Sequence, residues 1–384
     1  RPWSRSSVAG NLSQPGRRGN ARGEGPPGAP GRRRAAIRRV RPGAWKSISG
    51  DPHVKLKTAG PRSILVVSFK AKDSCMTEAK YRLVTRADFD GVVCGTLLNE
   101  RGLIDDTLFA EPADMQAGRI GVSHDDITAN LPYVEAVHLC FDHHVSEIKR
   151  VGAHDNLIID PDAPSTARVI YRHYGGKSGF PEISDELMAA VDQADSAQYT
   201  EEDIMAPAGW TLLNFLVDPA TGLSRSKSFT TPDEQFFVDL MTYCRHNPID
   251  EILQLPDVLE RVEVYSYDSE FAEMQYNRCS RTDGIAVVTD LRQEDELVPV
   301  NRFLVYALYP DSKVSVRIEN AGDGQVRIAA GKSVLDRTAK ANLGGLMLEL
   351  GGGGHAGAGA CRVGADAADA AIAKLVQGIN AAEA

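Results

Sequence analysis

The chain has 384 residues but only six cysteines, at 75, 94, 140, 244, 279 and 361, and none forms a Cys-x-x-Cys pair. That spacing excludes a zinc knuckle and a disulfide scaffold, and suits reduced thiols in a cytoplasmic protein. Long apolar runs are also missing. The longest candidate, 63–69, falls far short of the roughly 20 residues that a membrane-spanning helix needs, so no membrane partner is expected. Positive charge is scarce over most of the chain. Residues 1–75 carry 12 Arg and 5 Lys against three acidic residues, a local excess of 14, so the net charge of −9 leaves −23 for the remainder. A body so acidic is a poor binder of long nucleic acid, whose affinity rests on Lys and Arg neutralising phosphates. It can hold small phosphorylated ligands when bound cations supply the positive charge.

Residues 1–62 are rich in Arg, Gly, Pro and Ser, with little apolar periodicity. Such a composition buries too little surface to offset its ordering entropy. The first Met is Met76, and regular hydrophobic periodicity starts just after it. Residues 1–75 are therefore expected to be a basic extension upstream of the working protein. A disordered basic arm and a targeting peptide are the competing readings.

From residue 76 strands and helices alternate. The pattern predicts strands at 81–85, 119–122, 136–141 and 157–160. It predicts helices at 92–101, at 165–174 behind a Ser165 cap, and at 184–197. Helical segments follow at 210–217 and 234–245, then a long charged helical connector. Strands at 285–289, 303–308, 314–318 and 326–330, with helices at 341–350 and 365–379, suggest a second unit. The expected fold class is α/β, with a parallel sheet flanked by helices on both faces and a smaller C-terminal α/β domain holding a mixed sheet. The expected domains are 76–247, a connector at 248–281, and 282–384.

Chemistry-bearing residues gather at the ends of the predicted strands. Asp88-Phe89-Asp90-Gly91 follows the first, Asp125 and Asp126 the second, and Asp142-His143-His144 ends the third. In an open parallel sheet, ligands bind beyond the carboxyl ends of the strands. Three pieces of chain would thus bring oxygen and imidazole ligands to one edge, a set suited to hard divalent cations that also touch a negatively charged substrate. Near the C-terminus, Gly351-Gly352-Gly353-Gly354-His355-Ala356-Gly357 offers backbone N–H groups to a phosphate or carboxylate, and His355 can add a charged contact. Ala330-Gly331-Lys332-Ser333 is not a nucleotide P-loop, because Val326 stands where the first glycine belongs.

The order of these motifs resembles the DHH phosphoesterase superfamily from about residue 81 to the end, closest to exopolyphosphatase-like members. The resemblance rests on residues 88–91, on Asp142-His143-His144, and on the glycine run 352–359, which is similar to the signature of the DHH-associated C-terminal domain. It implies hydrolysis of a phosphoanhydride or phosphodiester bond assisted by two divalent ions, usually Mn2+, with Mg2+ as the alternative. It implies Asp88 and Asp90 as metal ligands and Asp126 (or Asp125) as a bridge. His143 is the implied imidazole ligand and Asp192 (or Asp195) the distal carboxylate. Asp142 would orient the histidines, with His144 toward the substrate. Arg317, Gly353, Gly354 and His355 would hold the far end of the substrate. Exopolyphosphatase-like activity on a small or terminal substrate is the first expectation, with very short oligonucleotides or nucleotide derivatives as the alternative. A non-catalytic nucleotide sensor is the rival from another class, and a homodimer is left open. One departure stands out. Many relatives have a His two or four residues before the first Asp, where this chain has Arg86 and Val84. His124 could compensate, and Arg86 could instead meet a substrate phosphate.

Overall fold

The computed structural model describes residues 80–383; the basic extension and the apolar stretch 63–69 lie outside them. The first sheet contains β1 (Tyr81–Thr85), β2 (Ile104–Phe109), β3 (Asp126–Ala129), β4 (Leu139–Asp142) and β5 (Leu157–Ile159). Their order is β2-β1-β3-β4-β5, and every pairing is parallel. Consecutive strand residues point to opposite faces. Leu83 and Val84 are both fully buried, and they enter different apolar clusters. The sheet is therefore covered on both sides, as a parallel sheet requires.

The helix Phe89–Glu100 is buried from Phe89 to Leu98 and shows no polar face, which marks it as a central helix. Asp88 caps it, its side chain accepting from the Gly91 N–H. The helix packs against Thr166–His173 and Asp233–His246. Strand order reverses at β1: the chain runs outward to β2, then crosses back to place β3 on the other side. In doubly wound folds, ligands bind at such a reversal, here the carboxyl ends of β1 and β3.

The second sheet contains β6 (Ser280–Asp283), β7 (Ala286–Asp290), β8 (Val314–Gly322), β9 (Gln325–Lys332), β10 (Gly353–His355) and β11 (Ala358–Gly364), in the order β10-β11-β9-β8-β7-β6. It is mixed: β7 and β8 run parallel, and the other pairs are antiparallel. The α/β class with one parallel and one mixed sheet is as expected. The core under the first sheet also takes in Val287, Val300 and Phe303 to Tyr306.

Two expected strands are corrected. Residues 119–122 form no strand. Their apolar pair, Ile120 and Val122, packs against a small cluster around Val84 and Leu131 instead. Residues 303–308 form a short helix, Leu304–Leu308, with Leu304, Val305 and Tyr306 all buried. A continuous short apolar run fits a buried helix turn as well as a strand, and periodicity cannot separate them.

Candidate active site

The loop after β1 and the first turn of the following helix carry Arg86, Asp88 and Asp90. Gly91 is required here, because a Cβ would lie 2.0 Å from the Arg86 carbonyl oxygen. The close approach lets the chain turn from strand to helix within three residues. Asp90 is 3 % exposed. Its carboxylate accepts from the backbone N–H groups of Thr166 at 3.0 Å and Ala167 at 2.8 Å, at the positive end of the helix Thr166–His173. Burial still raises its pKa to about 7, with the negative charge of Asp195 pushing the same way.

β4 ends on Asp142, which is 1 % exposed. Its Oδ1 accepts from the His143 N–H at 2.9 Å and pairs with His144 Nδ1 at 2.8 Å, while Oδ2 is buried with no hydrogen-bond partner. His143 Nδ1 lies 3.1 Å from the Ala163 carbonyl oxygen. A carbonyl only accepts, so Nδ1 carries the proton and Nε2 is turned toward the carboxylates. That Nε2 sits 3.0 Å from Asp195 Oδ2 without an aligned hydrogen bond. Burial opposes a charge on His143, but Asp195 and Asp90 outweigh it and raise its pKa to about 9. Asp90, His143 and Asp195 bring one ligand atom each to within 4.8 Å of one another, a set that could hold a divalent cation. Half-exposed His144 has its pKa raised by its bond to Asp142.

Asp88 lies beside this set in different company. It accepts from Gly91 N at 2.9 Å and from Asn130 Nδ2 at 3.2 Å, and Arg86 Nη1 is 3.3 Å from its Oδ2. Burial raises its pKa, and the Arg86 charge opposes that rise. Asn130 follows β3 with φ of 57°, a left-handed conformation that Asn tolerates better than most residues.

Several expected residues lie elsewhere. Asp126 opens β3 rather than following a strand, so it sits at the amino edge of the sheet. There it accepts from Arg82 Nε at 2.7 Å and from the Ser123 N–H. Asp125 shares that edge and is exposed. The residue at the carboxyl end of β3 is Asn130, which sequence reading missed. His124 lies 3.5 Å from His138, whose ring stacks on Tyr81 at the start of β1, so it does not reach Asp88. Asp192 and Asp195 are both on the helix Asp185–Asp195. Asp192 is turned to Ser165 Oγ at 2.8 Å and to Arg168 Nε and Nη2 at 2.9 and 2.5 Å, leaving Asp195 to join Asp90 and His143.

Arg317 of β8 bonds to Tyr276 Oη at 2.8 Å and to Glu319 at 3.2 Å. Gly354 has φ of 150°, and a Cβ there would meet the Ala358 carbonyl oxygen at 2.3 Å, so strand packing alone requires it. Gly353 faces open space, and exposed His355 accepts from the Gly357 N–H. Among the described residues, no hydrogen bond or ion pair joins Arg317, Gly353, Gly354 or His355 to the carboxylate–imidazole set. A different residue provides a link from this half of the chain. Arg337 donates to the carbonyls of Ser196 and Ala197 at 3.2 and 2.6 Å, just beyond Asp195.

Among solved structures, the chain is similar to the pGpG-specific phosphodiesterase PggH of Vibrio cholerae. Identity is 45 % and the TM-score 0.70, over 79 % of this chain and 100 % of that one. The chain belongs to the DHH phosphoesterase superfamily. It is accordingly a metal-dependent phosphoester hydrolase. A DHH domain from a member of a family of ribosomal proteins matches at a TM-score of 0.52 with 11 % identity, covering 80 % of this chain and 88 % of that one, a likeness of fold alone. No family model matches the chain, and no curated protein does. Among the described residues no helix is long and apolar enough to cross a membrane.

Proposed function

We propose that this DHH phosphoesterase is a phosphodiesterase of very short oligonucleotides, with a 5′-phosphorylated dinucleotide such as pGpG as its first substrate. The reading rests on one observation: similarity at 45 % identity to a pGpG-specific phosphodiesterase over that protein's whole length. It reverses the order of the two substrate expectations, placing short oligonucleotides ahead of polyphosphate. The acidic body agrees with it, since it disfavours long polyanions that must be tracked by Lys and Arg.

The expected reaction is hydrolysis of the internal phosphodiester. A water oxygen bonds to phosphorus, the P–O3′ bond breaks, and the leaving 3′-oxygen takes a proton, giving two mononucleotides. A divalent cation held by Asp90, His143 and Asp195 would neutralise phosphate charge and make water more acidic. His143 enters that role with its tautomer already set by Ala163, which saves reorganisation. Asp142 fixes both histidines, and leaves His144 half-exposed with Nε2 directed away from its Asp142 bond. In this reading His144 Nε2 delivers the proton to the 3′-oxygen, and Asp142 stabilises the charged ring that delivers it.

The test is a substrate panel. Full-length protein with Mn2+ or Mg2+ is incubated with pGpG, a 10-nucleotide RNA, a cyclic dinucleotide and tripolyphosphate, and products are resolved by chromatography. Rapid conversion of pGpG to GMP, with the others slower by about 100-fold or more, supports the reading. His144→Ala should lower turnover of pGpG by roughly 10²–10⁴-fold. Phosphate release from tripolyphosphate as fast as GMP formation would overturn it.

A further inference from the structure

The superfamily resemblance leads one to expect two cations, each with its own carboxylates and imidazole. The ligand groups here divide unequally. Asp90, His143 and Asp195 form one compact set. The negative charges of Asp195 and Asp218 reach Asp88, but the groups in direct contact with it are donors: the Gly91 N–H, the Asn130 amide and the Arg86 guanidinium. Donors satisfy a carboxylate but do not bind a cation, and Arg86 carries its charge permanently.

The other candidates for a second site are committed elsewhere. Val84 is fully buried in an apolar cluster. Asp126 is paired with Arg82 at the opposite edge of the sheet. His124 is against His138, and Asp192 is held by Arg168 and Ser165. Among the described residues, only Asp142 Oδ2 remains unpartnered among the buried carboxylate oxygens close to this edge.

We propose that this centre works with one divalent cation, on Asp90, His143 and Asp195, and that Arg86 replaces the second cation as a fixed positive charge facing the substrate phosphate. Charge balance supports the exchange. The end of β3 carries the neutral amide of Asn130 where the two-ion arrangement uses a bridging carboxylate, so one negative charge is absent. A guanidinium in place of a divalent ion also removes one positive charge, and the charge of the centre is unchanged. Arg86 is suited to the role by its position. Its Nη1 is anchored on Asp88 and its side chain remains 39 % exposed. A planar guanidinium held this way keeps Nη2 to donate to a phosphate oxygen.

This inference rests on the phosphoesterase reading, but its test needs no substrate. Metal-free full-length protein is titrated with MnCl2 by calorimetry, and bound Mn2+ is counted independently by equilibrium dialysis. One ion per chain is expected for the wild type and for Arg86→Ala, and Asp90→Ala should lose it. The double variant Arg86→His, Asn130→Asp should gain a second ion. Two ions on the wild type would overturn the proposal. A folded double variant that still binds one would overturn the assignment of Arg86 and Asn130 as the pair that excludes the second. If the double variant does not fold, the wild-type count decides alone. With an active substrate in hand, Arg86→Ala should lose at least about 100-fold in kcat/KM, and free guanidinium should restore part of the loss. A variant whose kcat/KM is unchanged would remove Arg86 from the phosphate.

Discussion

Asp192 and Asp195 lie three residues apart on one helix, and opposite outcomes are expected when each is removed. Asp192 receives three hydrogen bonds, two of them from the Arg168 guanidinium, and both side chains are about four-fifths buried. Asp192→Ala leaves Arg168 largely buried without its carboxylate, keeping a hydrogen bond to the Met188 carbonyl at 3.2 Å. Hydrogen bonds to charged groups contribute about 1.5–3 kcal/mol, and a partner stranded at partial burial puts the loss near the upper end, about 2–3 kcal/mol. For a protein of this size that lowers Tm by roughly 3–5 °C. Asp195→Ala removes an attraction to His143 and, at the same time, a repulsion from Asp90. The two effects oppose, so stability without metal should change by under about 1 kcal/mol, while Mn2+ affinity falls by at least about 100-fold. Urea unfolding in EDTA measures the first quantity for each variant, and calorimetric titration with Mn2+ the second. Loss of metal binding in Asp192→Ala, with metal retained in Asp195→Ala, would refute the reading of this helix.

Two further outcomes follow from the same elements. Gly91→Ala should cost about 3 kcal/mol or more, because the new Cβ meets backbone rather than a movable side chain at 2.0 Å; chemical denaturation measures it, and a cost under about 1 kcal/mol would contradict the strand-to-helix turn described. Burial pushes the Glu147 carboxyl upward, but Arg150 and the Tyr133 N–H more than offset this and hold it below its ordinary value. A carboxylate with a depressed folded pKa stabilises the protein above its unfolded pKa of about 4.3, and that stabilisation is lost as pH falls through the lower folded value. Glu147→Gln should therefore be less stable than wild type at pH 7, with the gap shrinking below about pH 4; a gap that widens in acid would reverse the sign of the argument.

The parts of this centre that were legible in the sequence are those carried by local pattern. An apolar run ending on Asp142-His143-His144 reads as a buried strand delivering ligands to its carboxyl end, and β4 does this. Asp88 and Asp90 were placed by the helix they begin. What could not be read depends on pairings between distant residues. β3 has only four residues and opens on a buried acid, which no alternation pattern suggests, because the charge of Asp126 is matched by Arg82, 44 residues away. The apolar pair near 120 looked more like a strand, and that error moved the carboxyl end of the strand from Asn130 to Asp126. The choice between Asp192 and Asp195 had no local answer either, since both fit one helix face and only Arg168 distinguishes them. The exopolyphosphatase expectation came from motif order, which these phosphoesterases share across different substrates.

The contact of Arg337 with the carbonyls of Ser196 and Ala197 has a consequence for any shortened form of the protein. A fragment ending before residue 330 would retain Asp90, His143 and Asp195, all three side chains of the proposed cation site. It would also leave two carbonyls at the end of the Asp195 helix facing water, with Ala197 held in a left-handed turn by less of its surroundings. The last turn of that helix would fray, and the fragment would own every ligand while holding one of them loosely. A complete set of metal-binding residues and a working metal site are thus two different lengths of this chain.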